Sequence, residues 1–436
     1  MIALALGFAF ALAAEPEPAD AEAAAPQETP VIEEPASGAG AVAPPLVVTG
    51  YVDVGFADAQ GNGTSFHPAD NRAPLDYGVD TFAPAVNSRG EVASTDPGTD
   101  PLGNPRFVNG FLPRSTGIGG VPSFLINTAS VDFRYLAPEL PVMVFTRVQL
   151  LPRFANGDAS RVVLDQAFGR IAPFKSAELA LSVGKFDSVF GIEYLENQAN
   201  FRVGVTPSLL ARYTTGTSVG GKLFYRAQLV SMASALSLNL AVTNGSTLVE
   251  SLQTADRSLT GVPIGSGRLG YELNLSRTSV KLGASFSYGP RNDQLDRAAI
   301  QYLLGFDVRV LLGPLMVSGE YVKIHQDEGS ADGKFTGLGR FPFASQFYAQ
   351  GFWAQAAYEL QIPSANLKLT PYGRYEQRHA EFEGFAAIVV DRITGGINLG
   401  VGDNLQIKAE YLANRELSGA PNVANNVIAS SVVWTW

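Results

Sequence analysis

From residue 46 onward, apolar and polar residues alternate with a period of two over stretches of ten or more positions. Leu236, Leu238, Leu240 and Val242 alternate with Ser237, Asn239, Ala241 and Thr243. Leu269, Tyr271, Leu273 and Leu275 alternate with Arg268, Gly270, Glu272 and Asn274, and Leu367, Leu369 and Tyr375 with Lys368, Thr370, Arg374 and Glu376. This period puts one set of side chains on each face of a strand. Strands of soluble sheets run about five or six residues, whereas a tilted strand crossing a bilayer needs roughly 9–11. Length therefore favours a membrane-spanning sheet.

The pattern predicts sixteen strands, at about 46–57, 123–136, 141–151, 160–171, 177–187, 217–230, 235–244, 266–276, 279–289, 299–312, 315–326, 350–361, 366–378, 386–399, 404–415 and 424–436. Their connections alternate in length. Ala137–Leu140, Ala172–Ser176, Ser231–Ser234, Arg277-Thr278, Gly313-Pro314, Ile362–Ala365 and Gly402-Asp403 are short. The intervening ones, 58–122, 152–159, 188–216, 245–265, 290–298, 327–349, 379–385 and 416–423, are longer. Short turns at one end and long loops at the other are expected of a transmembrane β-barrel. The expected fold is all-β: an antiparallel barrel of about sixteen strands over 46–436.

The final strand carries Ile428, Val432, Trp434 and Trp436 on one face and Ser431 and Thr435 on the other. Pairing it with the first strand, Leu46 to Ala57, leaves no edge exposed to lipid. Trp434 and Trp436 then read as part of a periplasmic aromatic girdle. This end resembles the closing strand of bacterial outer-membrane β-barrels, which typically finishes on an aromatic residue.

Composition agrees. Charged residues are 17% of the chain, below the roughly 25% usual in soluble proteins. Beyond the N-terminus no stretch approaches the ~20 apolar residues of a spanning helix. Cysteine is absent, which excludes disulfides and thiolate metal sites. The formal charge of −10 is concentrated in residues 1–44, which hold seven acids and no base. Removing those seven from 41 acids leaves 34 against 31 bases, a nearly neutral body. That balance gives no support to a nucleic-acid partner.

Residues 1–14 read as an export signal, with an apolar core from Ile2 to Ala14 and a small-x-small site at Ala11-Leu12-Ala13. A basic n-region is missing, which suggests a start further upstream. Residues 15–45 are rich in Ala, Pro and Glu and are expected to be a disordered leader. The long first loop, 58–122, is rich in Asp, Pro, Gly and Asn but matches no calcium-loop spacing.

Barrels of sixteen to eighteen strands enclose an aqueous channel. The polar strand faces supply Arg134, Arg147, Lys222, Arg226, Arg268, Lys281, Arg309, Lys368, Arg374, Arg378, Arg392 and Lys408 as lining bases. They outnumber the acids Asp53, Asp132, Glu272, Asp307, Glu320, Glu359, Glu376 and Glu410. Such a lumen is expected to prefer anions weakly.

The segment 188–216 mixes Glu193 and Glu196 with Arg202, Arg212 and aromatic residues. The chain is similar to general porins, in which the loop after the fifth strand folds into the barrel. That resemblance makes 188–216 the constriction loop, with its acids and bases facing across an eyelet. Val183-Gly184-Lys185-Phe186-Asp187-Ser188-Val189-Phe190-Gly191-Ile192-Glu193 also resembles the strand–loop passage of the phosphate-selective porin O and P family and of OmpL-like porins. Val189 stands where those families have proline, and no Lys or Arg cluster follows, so phosphate selectivity is not carried over. The resemblance implies passive diffusion of small hydrophilic solutes and ions across a bacterial outer membrane, a homotrimer, surrounding lipid and lipopolysaccharide, and insertion through the barrel-assembly machinery by way of the C-terminal strand.

Other chemistry finds little footing. His67, His325 and His379 fall in loops or near strand ends, with no sign of convergence on a metal. Gly216–Lys222 imitates a phosphate-binding loop, but Leu223 replaces the Ser or Thr and the segment opens a strand. No cofactor and no catalytic set is expected. The alternatives are a receptor or adhesin acting through 58–122, and a barrel hydrolase using a serine near His325 or His379.

Overall fold

The computed structural model describes residues 45–59, 123–137, 140–151, 161–174, 178–229, 233–244, 261–290, 300–327, 347–382, 387–418 and 426–436. The expected signal 1–14, the leader up to residue 44 and the first loop beyond Ala59 lie outside the described residues, as does His67.

The strands are β1 (Leu46–Ala59), β2 (Ser123–Leu136), β3 (Val142–Leu151), β4 (Arg161–Ile171), β5 (Glu178–Asp187), β6 (Thr217–Gln228), β7 (Ser234–Thr243), β8 (Ile264–Leu275) and β9 (Thr278–Pro290). They continue with β10 (Ile300–Leu312), β11 (Leu315–Gln326), β12 (Phe347–Tyr358), β13 (Leu360–Ile362), β14 (Leu367–Phe382), β15 (Ile388–Val401), β16 (Leu405–Ser418) and β17 (Val427–Thr435). β13 extends β12 past Glu359, and both pair with β14, so the wall has sixteen staves. Each stave is antiparallel to its sequence neighbours. β1 pairs with β17, in register Val52↔Trp434 and Ala57↔Ala429, and the sheet closes on itself. Reciprocal backbone hydrogen bonds of 3.1 and 3.0 Å between Gly50 and Trp436 finish the seam.

Alternation decides what each face carries. On β17, Val427, Ala429, Ser431 and Val433 are buried, while Ile428, Val432 and Trp434 are exposed. Val162, Val183, Val242, Leu269, Phe306 and Ile393 are likewise exposed, whereas Ser182, Ser285, Arg374, Glu376 and Lys408 are buried. Oily side chains outside and polar ones inside invert the arrangement of a soluble sheet and match a barrel sitting in lipid.

Short turns close the end that carries both β1 and β17 termini. Gly313 and Gly402 adopt φ values of +55° and +60° there, the left-handed region that glycine enters without a Cβ penalty. Several strands run past their expected limits at the other end: β14 reaches Phe382 and β16 reaches Ser418. Their outer residues there, including Gln377, His379, Glu381 and Arg415, are polar on a face that is apolar lower down. The alternation fades while the hydrogen-bond ladder continues.

The interior is partly filled by the connection between β5 and β6. Phe190, Ile192, Leu210 and Tyr213 from this segment pack with Leu303, Val322, Ile324, Ala349 and Trp353 of β10–β12. Val205 joins Ala57, Leu412, Val427 and Ala429, and Ala199 joins Tyr51 and Val433. The barrel's main apolar cluster therefore lies between the wall and an inserted segment.

Candidate functional site

The segment turns inward directly after Asp187. Gly191 has φ +71°, and its N–H donates to Ser285 Oγ at 3.0 Å. A Cβ at this position would meet Glu320 Oε1 at 1.8 Å, so the close approach requires glycine. The Ile192 and Glu193 N–H groups donate to Glu320 Oε2 at 3.5 and 3.3 Å. A 3₁₀ turn, Glu193–Glu196, follows, and α1 (Ala211–Thr214) ends the segment before β6.

Irregular backbone at this depth must find partners for every buried N–H and C=O. The wall provides them as charged side chains. Glu410 accepts from the Val205 and Thr206 N–H groups at 2.8 and 2.9 Å, and Glu376 from the Leu209 N–H at 2.6 Å. Arg374 donates to the Thr206 and Pro207 carbonyls, each at 3.0 Å, and Arg392 donates to the Pro207 carbonyl at 2.7 Å. Lys408 Nζ donates to the carbonyls of Ala199 and Arg202. Gln406 and Asn398 hold the Asn200 and Val203 carbonyls at 3.0 and 3.2 Å.

Glu376 sits between Arg374 and Arg392, in ion contact with both, and Glu376 and Arg392 are fully buried. Each of the three also binds segment backbone. A buried charge group of this kind holds together only when its remaining donors and acceptors are satisfied; the segment meets most of them, leaving Arg392 Nη1 without a partner among the described residues.

The four charged residues expected to face an eyelet occupy different places. Glu193 is buried within the segment, accepting from the Ser208 N–H at 2.6 Å and from its hydroxyl. Burial holds its carboxyl above the usual carboxylate range, against the Ser208 hydrogen bonds and the Arg374 guanidinium that pull it down. Glu196 pairs with Arg309 of β10. Arg202 donates to the Asn197 and Val205 carbonyls at 3.3 and 2.6 Å. The Arg212 side chain lies outside the described residues, although its backbone belongs to α1.

The expected lining bases divide in two. Arg147 grips Asp132 through two 2.7 Å hydrogen bonds. Arg226 meets Glu272 at 2.9 Å and Glu178 at 3.4 Å, and Lys281 approaches Glu272 at 3.6 Å. Arg309 and Arg374 have the partners above, and Arg378 donates to the Tyr213 hydroxyl at 2.8 Å. Among the described residues Lys222 has no carboxylate in contact, and it lies over the Phe186 ring, 4.9 Å from its centroid. Arg134 and Lys368 share the alternation of the inward faces. Arg170 of β4 falls outside the expected set, yet it faces the lumen over the Phe224 ring. Trp434 and Trp436 are exposed on the outer face, and the Trp436 ring covers Gly50.

Neither a protein-family model nor a curated protein matches the chain. Among solved structures, the outer membrane channel DcaP of Acinetobacter baumannii is similar over 90% of this chain and 97% of its own, with a TM-score of 0.50 and 9% identity. An anion-selective porin from Comamonas acidovorans covers 90% of this chain and 99% of its own, at TM-score 0.48 and 9% identity. Salmonella typhi OmpF covers 90% and 97%, at TM-score 0.48 and 12% identity. At such identities the likeness is one of fold. The chain is a porin-like β-barrel: sixteen antiparallel staves closed on themselves, with an oily exterior and a polar interior.

Proposed function

We propose that the protein is a porin of the bacterial outer membrane, a water-filled channel for passive diffusion of small hydrophilic solutes and ions. One observation carries this reading: a closed sixteen-stave wall with polar residues inside encloses an inserted segment held by wall side chains on β11, β14, β15 and β16. Barrels of this size are too wide for side chains alone to fill. In this reading segment 188–216 is the constriction, and the wall opposite its anchors lines the open passage. Glu193, Glu196 and Arg202 shape the constriction from within rather than charging its edge. Trp434 and Trp436 form part of the girdle at the lipid boundary. In this reading the protein assembles as a homotrimer surrounded by lipid and lipopolysaccharide, after insertion by the barrel-assembly machinery through its C-terminal strand.

The reading is of a channel rather than an enzyme. Both described histidines face outward beside carboxylates, His325 with Asp327 at 3.0 Å and His379 with Glu381 at 2.9 Å. A receptor role would rest on the first loop.

Weak anion preference is supported by the bases left without a carboxylate. Arg170 and Lys222 are partly exposed inside the barrel, while Glu193, Glu320, Glu376 and Glu410 are buried in hydrogen bonds to the segment. Purified protein in a planar bilayer should conduct in proportion to salt. Its reversal potential under a KCl gradient should carry the sign of chloride selectivity. A silent bilayer would sink the channel reading, and a potassium-selective potential would sink the anion preference alone.

A further inference from the structure

Arg170, Ser182 and Lys222 stand on one row across β4, β5 and β6, because Arg170 pairs with Ser182 and Ser182 with Lys222. The two cations are thus roughly 10 Å apart at the backbone, two strand spacings. All three side chains face the lumen, on the side away from the strands that anchor segment 188–216. The adjacent row holds Phe168, Gly184 and Gly220, so two of its three positions present no side chain.

Aromatic rings surround this row. The Arg170 guanidinium lies 5.9 Å from the Phe224 centroid, and Lys222 Nζ lies 4.9 Å from that of Phe186. Phe168 packs against Phe145 with centroids 5.3 Å apart. Phe145 and Phe186 are buried, but Phe168 and Phe224 are only partly covered. Among the described residues neither cation contacts a carboxylate. Asp187 contributes a field at Lys222 but is hydrogen-bonded to Gln166 at 2.7 Å instead. The Arg170 Nε has no hydrogen-bond partner. Elsewhere on the inner wall the pattern differs: Arg147, Arg226, Arg268 and Arg309 all hold carboxylates.

A water-lined passage gains nothing from partly exposed phenyl rings beside cations that hold no carboxylate. A solute carrying both an anionic head and an apolar body would satisfy both features. Its carboxylate would take hydrogen bonds from the Arg170 fork and the Lys222 ammonium, while its ring would cover Phe168 or Phe224. We propose that the inner wall of β4–β6 is a binding site for small aromatic carboxylates in transit. This rests on the channel reading and names the solute class that the channel favours.

Benzoate is the probe. In a planar bilayer holding the conducting full-length protein, benzoate should reduce the chloride current with a saturable concentration dependence. Acetate, which has the charge without the ring, and benzyl alcohol, which has the ring without the charge, should leave it unchanged at the same concentrations. R170Q/K222Q, with block normalised to its own current, should need at least about tenfold more benzoate, the loss of roughly 1.4 kcal/mol of binding. F224L, which keeps both charges, should also weaken the block. A heat-modifiable gel shift shows that each variant is folded. Equal block by acetate, unchanged block in R170Q/K222Q, or no block of a conducting channel would each overturn the proposal while leaving the porin reading intact. If the protein does not conduct, the porin reading fails first. Equilibrium dialysis of labelled benzoate against the detergent-folded barrel and R170Q/K222Q then decides the site alone: binding lost in the variant supports it, and no binding by the parent overturns it.

Discussion

Single residues on the wall hold the inserted segment, and their removal should be costly. E376Q leaves Arg374 and Arg392 buried with half their compensation, and breaking a buried charge group costs roughly 3–5 kcal/mol. Urea unfolding in detergent should show that loss, together with noisier single-channel currents as the charge that holds Arg374, Arg392 and the Leu209 turn together is removed. G191A drives a Cβ into Glu320 at a backbone angle of +71°, a strain of about 1–3 kcal/mol. It should unseat the start of the segment without affecting the seam. Glu193 gives a pH signature. Its folded-state value lies above the unfolded one, so the native chain binds the extra proton in the interval between them. This group therefore favours the folded, inserted state at acid pH, and its contribution weakens as pH rises through the raised value. Current noise from the parent should increase as pH rises from the acid side, whereas E193Q, neutral throughout, should flatten the trend. At this scale the sequence was least legible. Glu193, Glu196 and Arg202 stand out as charges in a long connection, but nothing local says that they turn away from water. Glu320, Glu376 and Glu410 lie 127, 167 and 205 residues from the amides they accept, and only a known register brings them together. Arg170 escapes notice because its strand ends on Gly169-Arg170-Ile171, where the alternation is short.

Elements were far easier to read. Period-two patterning survives along most of the wall because one face must satisfy lipid and the other water, and a one-residue slip would exchange them. The sixteen expected strands and the sixteen staves correspond, with differences of a few residues where polar outer positions hide the strand ends. The boundaries of segment 188–216 were visible because Asp187 and Thr217 end two well-patterned strands. Its inward course was suggested by resemblance, and the charged anchors explain it physically. Replacing residues 194–209 by a short Gly-Ser linker should leave the barrel folded, since closure depends on β1 and β17 and not on the segment. Conductance should rise roughly twofold or more as cross-section is freed. An unchanged current would mean that the segment does not limit flow.

For the whole molecule, the decisive property is that its exterior is the oily surface. A charge placed there should be penalised by depth, whereas one facing the lumen should be tolerated. Phe306 on β10 is 61% exposed on the outer face, and F306R should cost roughly 2–4 kcal/mol if it lies near the bilayer midplane. N239R, on the inner face of β7, should cost well under that in the same vesicle-based unfolding assay. Equal penalties would contradict the assignment of faces. The segment's anchors also bear on the order in which the molecule assembles. Lys408 reaches back 209 residues to the Ala199 carbonyl, and the other anchors stand on β11, β14, β15 and β16. The segment is made early and its docking partners late, so it must wait in solvent while the second half of the wall forms. Until then Glu376, Arg374 and Arg392 face water without their backbone partners. Assembly should therefore pass through a wide, fully hydrated barrel, and narrowing should be its last step, seen in a bilayer as a single irreversible drop in current after insertion.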